Sequence, residues 1–484
     1  MDKLAQCLSN ILKDLQGKDK HFQKLDFWNG NKIVVSKLKK FLEVNGFRTL
    51  KISQLSKVVK VTYNVVEVFT PQDVFNYCLK YVEAENSDFE SIFLEHGEKY
   101  LMTKKALLGS LKPIELKPYK NDISTSRYFY NNCVVEVTAN EIKTIPYKDF
   151  QKRKQYIFKE TIINRPYKIL DEINPDVDNF KKSSTNSDYK EFLNLATNSD
   201  EHFNSVCSSK GYLLHDFKNP ANAKAVIITD VLSQATNEPN GRSGKGLIIK
   251  SFSEFTNVVE YNGKNLDLKR DKFVYQSIDH STRLFVIQDV GKSFDFEDLF
   301  SQITDKMDVQ RKHTQKMIIE FADSPKIAIT TNYTIPQNTD SFTDRKHLVI
   351  LNNHFNANRK PEKELGKLLF LQWNESEYLA FDNFMMQCIQ FYLKNGLLSY
   401  EDPELKRQNL ISNTSKLFVE LIESDYFNNE YYSLKELASK LEINSNENSV
   451  KSKIAKNWLK TYVSYMNIKI DFRTSGGFEQ FCFS

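Results

Sequence analysis

No membrane span is written into these 484 residues, because no apolar run approaches the ~18 that crossing a bilayer requires. The amino end, MDKLAQCLSNILKDLQGKDK, also lacks a signal peptide's uninterrupted apolar stretch. Asp2, Lys3, Lys13 and Asp14 break it, so an intracellular protein is expected. Cysteine is sparse: Cys7, Cys78, Cys133, Cys207, Cys388 and Cys482 include no CxxC pair. That spacing argues against a zinc site and a disulfide framework, and predicts reduced, mostly buried thiols. Glycine (15) and proline (12) are too few for a collagenous chain, and 40% hydrophobic residues exclude a disordered one. Net charge is small, +5, which suits a nucleic-acid partner contacted locally and not an overall basic glove. Arginine is scarce as well: only 12 of the 67 basic residues. Arg242, Arg283, Arg311 and Arg345 nevertheless fall in one stretch, which makes them informative.

What is present is length enough for about three domains, with ample chain for real cores. Residues 1–120 alternate amphipathic helical patterns with short apolar runs, predicting a mainly helical amino-terminal domain. Residues 121–200 hold a strand-like stretch, with Val134, Val135 and Val137, a turn at Asn140, and Ile142 to Pro146. A polar linker with a short helix inside it is expected over 174–200, completing an α+β amino-terminal region. From 201 to 356 the texture becomes a series of apolar runs ending in polar residues. They are KAVIIT (224–229), KFVYQSI (272–278), RLFVIQD (283–289), KIAITTN (326–332) and KHLVILN (346–352). Such runs separated by helical segments predict an α/β core with a largely parallel sheet and a ligand site at the strands' carboxyl ends. Residues 357–484 read as a helical region. Within it, about 430–484 has a Ser433/Glu436 capping box, a second helix carrying Val450, Ile454, Trp458 and Val463, and a hairpin around Thr474 to Gly477. That succession makes a winged helix.

The focal motif is PNGRSGKGL, residues 239–247. A glycine-rich loop opening a helix aims backbone N–H groups and the helix dipole at a polyphosphate, with a lysine for the β and γ oxygens. Asn240, Gly241, Arg242, Ser243, Gly244, Lys245, Gly246 and Leu247 are therefore the candidate nucleotide cradle; a lysine-bearing turn is the alternative. Compared with GxxxxGK[ST], Pro239 replaces the first glycine and Gly246 the hydroxyl residue that would hold magnesium. About 40 residues on, RLFVIQDV puts Gln288 and Asp289 at a strand end, where an acid linked to magnesium or to the attacking water belongs. Asp289 capping the next helix is the plainer alternative. Asn332 ends KIAITTN, where its amide can hold the γ-phosphate or water. Arg345 precedes another apolar run, placed to stabilise phosphoryl-transfer charge in a neighbouring subunit or to serve as a surface ion-pair partner.

Taken in order, PNGRSGKGL, VIQDV, ITDKMDVQRKHTQKMIIEFADSPKIAITTNY and SFTDRKHLVIL resemble superfamily 3 helicases, in the phage, plasmid and poxvirus primase-helicase branch. SPKIAITTN carries most of the resemblance, which is close over 210–355. It implies an AAA+ type P-loop ATPase that binds ATP and Mg2+, forms a ring, usually hexameric, engages single-stranded or forked DNA, translocates on it and unwinds the duplex ahead of synthesis. Lys245 and Gly244 would bind nucleotide, Asp289 would be the second Walker B acid and a metal ligand, Asn332 the sensor and Arg345 the arginine finger. Residues 308–321 would form a channel hairpin with Arg311, Lys312 and His313 near its tip; a solvated charge run is the alternative. Gly246 and Gln288 depart from the pattern at magnesium positions. No DxD pair on an apolar strand appears in 1–200, so primase or polymerase activity is expected from a separate partner. The reading is thus a replicative helicase of a phage or mobile element, acting in the cytoplasm of the host cell if viral. The alternative is a nucleotide-binding, weakly hydrolysing DNA-binding ring or origin-recognition protein without robust unwinding.

Overall fold

The computed structural model describes residues 24–52, 55–103, 106–231, 242–279, 281–312, 316–333, 340–426, 430–441, 448–466, 468–475 and 477–483. The chain divides into two compact units. One comprises Met1–Thr229, Gly241–Thr331 and Ile335–Ser399, the other Asp230–Asn240, Asn332–Thr334 and Tyr400–Ser484. Among the described residues no helix is long and apolar enough to cross a membrane, and the five described cysteines are free and buried.

The first unit is built on a five-stranded sheet: β1 (Ala225–Asp230), β2 (Val258–Asn262), β3 (Leu284–Val290), β4 (Lys326–Thr331) and β5 (Lys346–Leu351). The order across it is β2-β3-β4-β1-β5. The pairs β2–β3, β3–β4 and β4–β1 are parallel. β1 and β4 are buried at every position, which is why their sequences are continuous apolar runs and not alternating ones. One face of the sheet, with Val226, Ile228, Leu284 and Val286, packs on three helices: α1 (Asp200–Leu214), α2 (Lys245–Ser253) and α3 (Glu375–Asn395). The other, with Ile227, Phe285, Ile287 and Ile329, covers Val274, Ile278, Phe296 and Leu299. α1 and α3 cross closely because residue 211 is glycine; a Cβ there would lie 2.2 Å from the Cys388 carbonyl oxygen.

Three expectations are corrected. KFVYQSI (272–278) is no strand: Gln276 N–H bonds to Phe273 O and Ile278 N–H to Tyr275 O, a run of turns. Its buried pair, Val274 and Ile278, has helical spacing and not alternation. The strand in this part of the chain is β2, half-exposed at the sheet edge and broken by Glu260, so its composition hid it. Residues 174–200 are not a linker, since Phe180, Tyr189, Phe192 and Leu193 are fully buried in the same core as α1 and α3. A few aromatic anchors set in polar sequence hold that stretch down. Residues 24–120, besides their helices, carry a strand meander: Phe47–Ile52, Leu55–Thr62 and Val65–Phe69 pair antiparallel.

The strands expected near 128–147 do form a sheet, with Thr125–Tyr130, Val134–Thr138 and Ile142–Ile145 antiparallel. It is fastened to the helical layer. Tyr128 Oη donates to Leu214 O at 2.7 Å, and downstream of the sheet Arg165 forks onto buried Asp382 at 2.6 and 2.7 Å. Burial pushes the Asp382 carboxyl up to about 6 against the pull of Arg165.

The second unit contains helices Lys416–Asp425, Leu434–Lys440 and Asn448–Met466, and a sheet in which Phe478–Phe483 lies between Tyr432–Ser433 and Ile470–Ser475, all antiparallel. Ser433 Oγ accepts the Glu436 N–H, so the expected helix start is there. Leu434, Leu437, Leu459, Tyr462, Phe481 and Phe483 close its core.

Candidate functional site

Asn240 and Gly241 lie outside the described residues, and the cradle is followed from Arg242 onward. Arg242 (φ +74°) and Gly244 (φ +92°) both adopt left-handed backbone on either side of Ser243. Such alternation turns successive N–H groups toward one side and makes an anion-binding concavity. Gly244 is required twice over: for its φ, and because a Cβ would lie 2.7 Å from the Phe192 ring. Phe192 is itself stacked on Phe355, centroids 5.3 Å apart and 19° from parallel. Lys245 is the first residue of α2, mostly buried, with Nζ donating to Ser243 Oγ at 3.1 Å. No side chain caps α2; within its first turn Leu247 N–H is bonded to Gly244 O at 3.0 Å, and the helix presents the positive end of its dipole beside the loop. Leu247 packs against the main core. Gly246 stands in open space, with nothing within 4 Å of where a Cβ would be.

The carboxyl end of β3 is strained and held. Asp289 takes φ +52°, costly for a residue with a Cβ, and the ladder to β4 shifts register between Ile287 and Val290. Two threonines of β4 pin this bulge: Asp289 N–H donates to Thr330 Oγ1 at 2.9 Å, and Thr331 Oγ1 donates to Val290 O at 3.1 Å. The Asp289 carboxylate is left exposed. Gln288 instead donates its amide to Glu260 of β2, whose other oxygen accepts from Ser253 Oγ at 3.2 Å. Glu260 and Phe192 belong to no motif that sequence reasoning singles out, and Thr330 and Thr331 lie inside KIAITTN but receive no role from it. The TT pair of KIAITTN is the one signal that could have found any of them.

Among the described residues no cluster of three His, Cys, Asp or Glu side chains could by itself hold a metal. Mg2+ needs less, since one or two carboxylates plus phosphate oxygens and water suffice. Asp289 fits that thin donor set; Gly246 contributes no hydroxyl, and Gln288 is committed to Glu260.

Asn332 follows β4 directly and groups with the second unit. Arg345 ends the helix Asp340–Arg345 just before β5, not the strand itself. Its guanidinium lies 4.8 Å over the Phe300 ring and donates to Ser341 O at 3.1 Å, while Nε is buried without a hydrogen-bond partner among the described residues. Lys224, just ahead of β1, reaches Thr343 O of the same helix at 3.0 Å, so Arg345 sits toward the amino edge of the sheet. The cradle opens at the other edge, and β1 between them spans roughly 20 Å at a strand's rise per residue.

The expected hairpin exists: Met307–Val309 pairs antiparallel with Met317–Ile319. Near its tip Arg311 is tied back, Nε to Gln276 O at 2.8 Å and Nη2 to Ile278 O at 2.7 Å. Lys312 is exposed, its Nζ 5.7 Å over the Phe273 ring, and His313 lies outside the described residues.

No family model matches the chain, and no curated protein matches it. Among solved structures, the A form of the apo C-terminal region of NrS-1 is similar over 92% of this chain and 99% of that chain, at 11% identity and TM-score 0.42. A second apo structure of that region covers 92% and 98%, at 12% identity and TM-score 0.40. A JCV helicase with a bound small molecule covers 49% of this chain and 70% of that chain, at 13% identity and TM-score 0.24. Similarity at this level leaves function to the geometry of this chain.

Proposed function

We propose that the chain is an AAA+ type P-loop ATPase working as a ring-forming DNA helicase, the activity that the resemblance to superfamily 3 implies. One observation carries the proposal. An uncapped helix with a buried lysine at its first position opens after β1, and the neighbouring strands β4 and β3 end in Thr330, Thr331 and a strained, exposed Asp289. Ligands of open parallel sheets bind outside the carboxyl ends of the strands. In this reading the N–H groups of residues 242–246 and Lys245 Nζ hold the triphosphate, and Asp289 holds Mg2+ through its carboxylate or orients the attacking water. Asn332 is the sensor. ATP with Mg2+ supplies the transferable phosphoryl group and its charge neutralisation. Arg345 serves the site of an adjacent subunit, since its own is a sheet's width away. Lys312, with Arg311 and His313, touches DNA phosphates without reading bases. The helices, strand and hairpin of 430–483 support a winged helix.

A second reading, a ring that binds nucleotide but hydrolyses it weakly, is favoured by the Gln288–Glu260 pair and by Gly246. Both put a non-ligand where magnesium would take one. The test is ATP binding and turnover, with and without single-stranded DNA, for wild type and Lys245→Ala. The helicase reading expects DNA-stimulated turnover that falls roughly 100-fold or more in the variant, as for loss of a key electrostatic group. Tight binding with negligible turnover selects the weak ring. Equal binding in both proteins removes the nucleotide site.

A further inference from the structure

Lys210 of α1 is only 1% exposed, so its ammonium group is cut off from water. Among the described residues no carboxylate pairs with it. Its Nζ donates to Ser251 Oγ of α2 at 3.0 Å and lies 4.7 Å from the centroids of two rings, Tyr189 and Phe252. The Ser251 hydroxyl is itself filled, donating to Ile248 O at 2.6 Å and accepting from Tyr189 Oη at 2.9 Å. A buried ammonium with no opposite charge gives up its proton easily, and burial pushes this one down to about 7. The titratable groups that face it are Tyr189 on helix Asp188–Leu195, Cys207 on its own helix and Cys388 on α3. Burial holds the Tyr189 hydroxyl and the Cys207 thiol well above their usual range, so both stay neutral. Lys190, next to Tyr189 in the chain, is held by Ser184 O at 2.6 Å and Asn186 Oδ1 at 3.1 Å. On α2, Lys250 is paired with Glu254 at 2.7 Å. The same packing reaches the cradle. The Tyr189 and Phe192 rings are 5.7 Å apart, and Phe192 is the ring that a Cβ on residue 244 would strike. Along α2, Ser251 stands six residues from Lys245, roughly 9 Å at a helix's rise per residue.

We propose that Lys210 is a proton-accepting positioning residue of the nucleotide site: it braces α2 through Ser251 and takes up a proton when a polyphosphate binds at the amino end of that helix. The proposal rests on the nucleotide reading. The polyphosphate supplies the negative charge that the fold places nowhere beside Lys210. A unit charge roughly 12 Å away, at the effective dielectric of about 20 that suits protein sites, raises an amine's pKa by about one unit. ADP with bound Mg2+ carries one net negative charge, so nucleotide lets the amine keep its proton about one pH unit higher than the empty site does. Between those two values binding takes up a proton, and affinity falls as pH rises. Well below pH 7 the amine is charged with and without nucleotide, and the linkage vanishes.

The experiment is isothermal titration calorimetry of ADP with Mg2+ into the full chain at pH 7.5, in two buffers of different ionisation enthalpy. The difference in heat counts the protons taken up, and the terminal phosphate, with its second pKa near about 6, is by then mostly deprotonated. Wild type should take up about half a proton per nucleotide, and its affinity should fall about fivefold between pH 7 and pH 9. Lys210→Met fills the same space without titrating and should lose both effects. Lys210→Gln, which keeps a donor for Ser251, should lose both as well. Ser251→Ala removes the brace but leaves the amine, and should retain the uptake. A lysine that only braces the helix predicts weaker binding in Lys210→Met with uptake and pH dependence unchanged, and that result overturns the proposal. Loss of uptake in Ser251→Ala overturns it too. Nucleotide bound by wild type without proton uptake removes this proposal alone, whereas no binding at all removes the nucleotide reading with it.

Discussion

The two edges of the central sheet are made of similar residues and treated differently. At the amino edge, charges are closed off. Lys326 Nζ, at the start of β4, donates to Tyr212 O at 2.6 Å and His215 O at 2.5 Å and lies 3.9 Å over the Tyr212 ring. Arg283, ahead of β3, pairs with Asp216 at 3.1 Å, and Lys218 donates to Ser324 Oγ at 2.7 Å. At the carboxyl edge, α2 starts uncapped and Asp289 holds a left-handed backbone with its carboxylate in solvent. Backbone strain persists only where the surroundings hold it, and it gathers where ligands act. The difference separates a structural edge from a working one. Arg345 is the amino edge's exception, with a buried Nε that nothing among the described residues satisfies.

That exception gives the largest expected effect. If Arg345 completes a neighbour's site, Arg345→Ala lowers kcat by about a thousandfold, the lower range for an arginine finger. Mixing it with Lys245→Ala subunits then restores part of the activity, because some interfaces keep both groups. Steady-state turnover of the mixture is the measurement. No recovery, or a full rate from isolated monomer, returns Arg345 to the structural edge.

The next effect concerns Lys326, fully enclosed, its ammonium pushed down to about 7 by burial. The folded form releases its proton near pH 7, while the unfolded form keeps it to about 10.4. Between those values the unfolded chain binds more protons, so stability rises with pH. Below pH 7 both forms are charged and the slope vanishes. Each such lysine contributes up to about 1.4 kcal/mol per pH unit in that window. Denaturant unfolding of wild type and Lys326→Met at several values between pH 7.5 and 9.5, below tyrosine titration near pH 10, measures it. The variant's slope should be shallower by about that amount. Identical slopes would mean that the amino edge keeps Lys326 hydrated.

How much of this was readable from residues alone follows from burial. β1, β3 and β4 were legible because parallel strands covered on both faces become unbroken apolar runs, and β5, buried at five of its six positions, reads the same way. β2 was not, since an exposed edge strand needs no such run, and Val274 with Ile278 imitated one. Lys245 and Asp289 were legible through the motif order. The left-handed backbone at Arg242 and Asp289, and the threonine hydroxyls that hold β3, depend on neighbours brought in by the fold. The turning of Gln288 toward Glu260 depends on the β2–β3 register, which pairs Asn262 with Gln288 and leaves Glu260 two residues back.

The smallest effect sharpens the working edge itself. Gly246 is the second residue of α2 and has nothing within 4 Å of a Cβ, so a Cβ enters there without a clash. Serine is also the better helix residue by a few tenths of a kcal/mol, so folding should not suffer. If the carboxyl edge binds ATP with Mg2+ held thinly by Asp289, the new hydroxyl supplies a ligand that the motif otherwise lacks. Turnover at limiting Mg2+ should then rise by about tenfold, the size of roughly 1.4 kcal/mol from one added polar contact. The Mg2+ concentration for half-maximal rate should fall with it. Gly246→Ala is the control, giving a comparable gain in helix preference with no oxygen. A rise in serine alone supports the nucleotide edge and shows that a hydroxyl at residue 246 reaches the metal. Equal behaviour of serine and alanine would show that no metal comes within reach of residue 246, and would shift weight to the weakly hydrolysing ring.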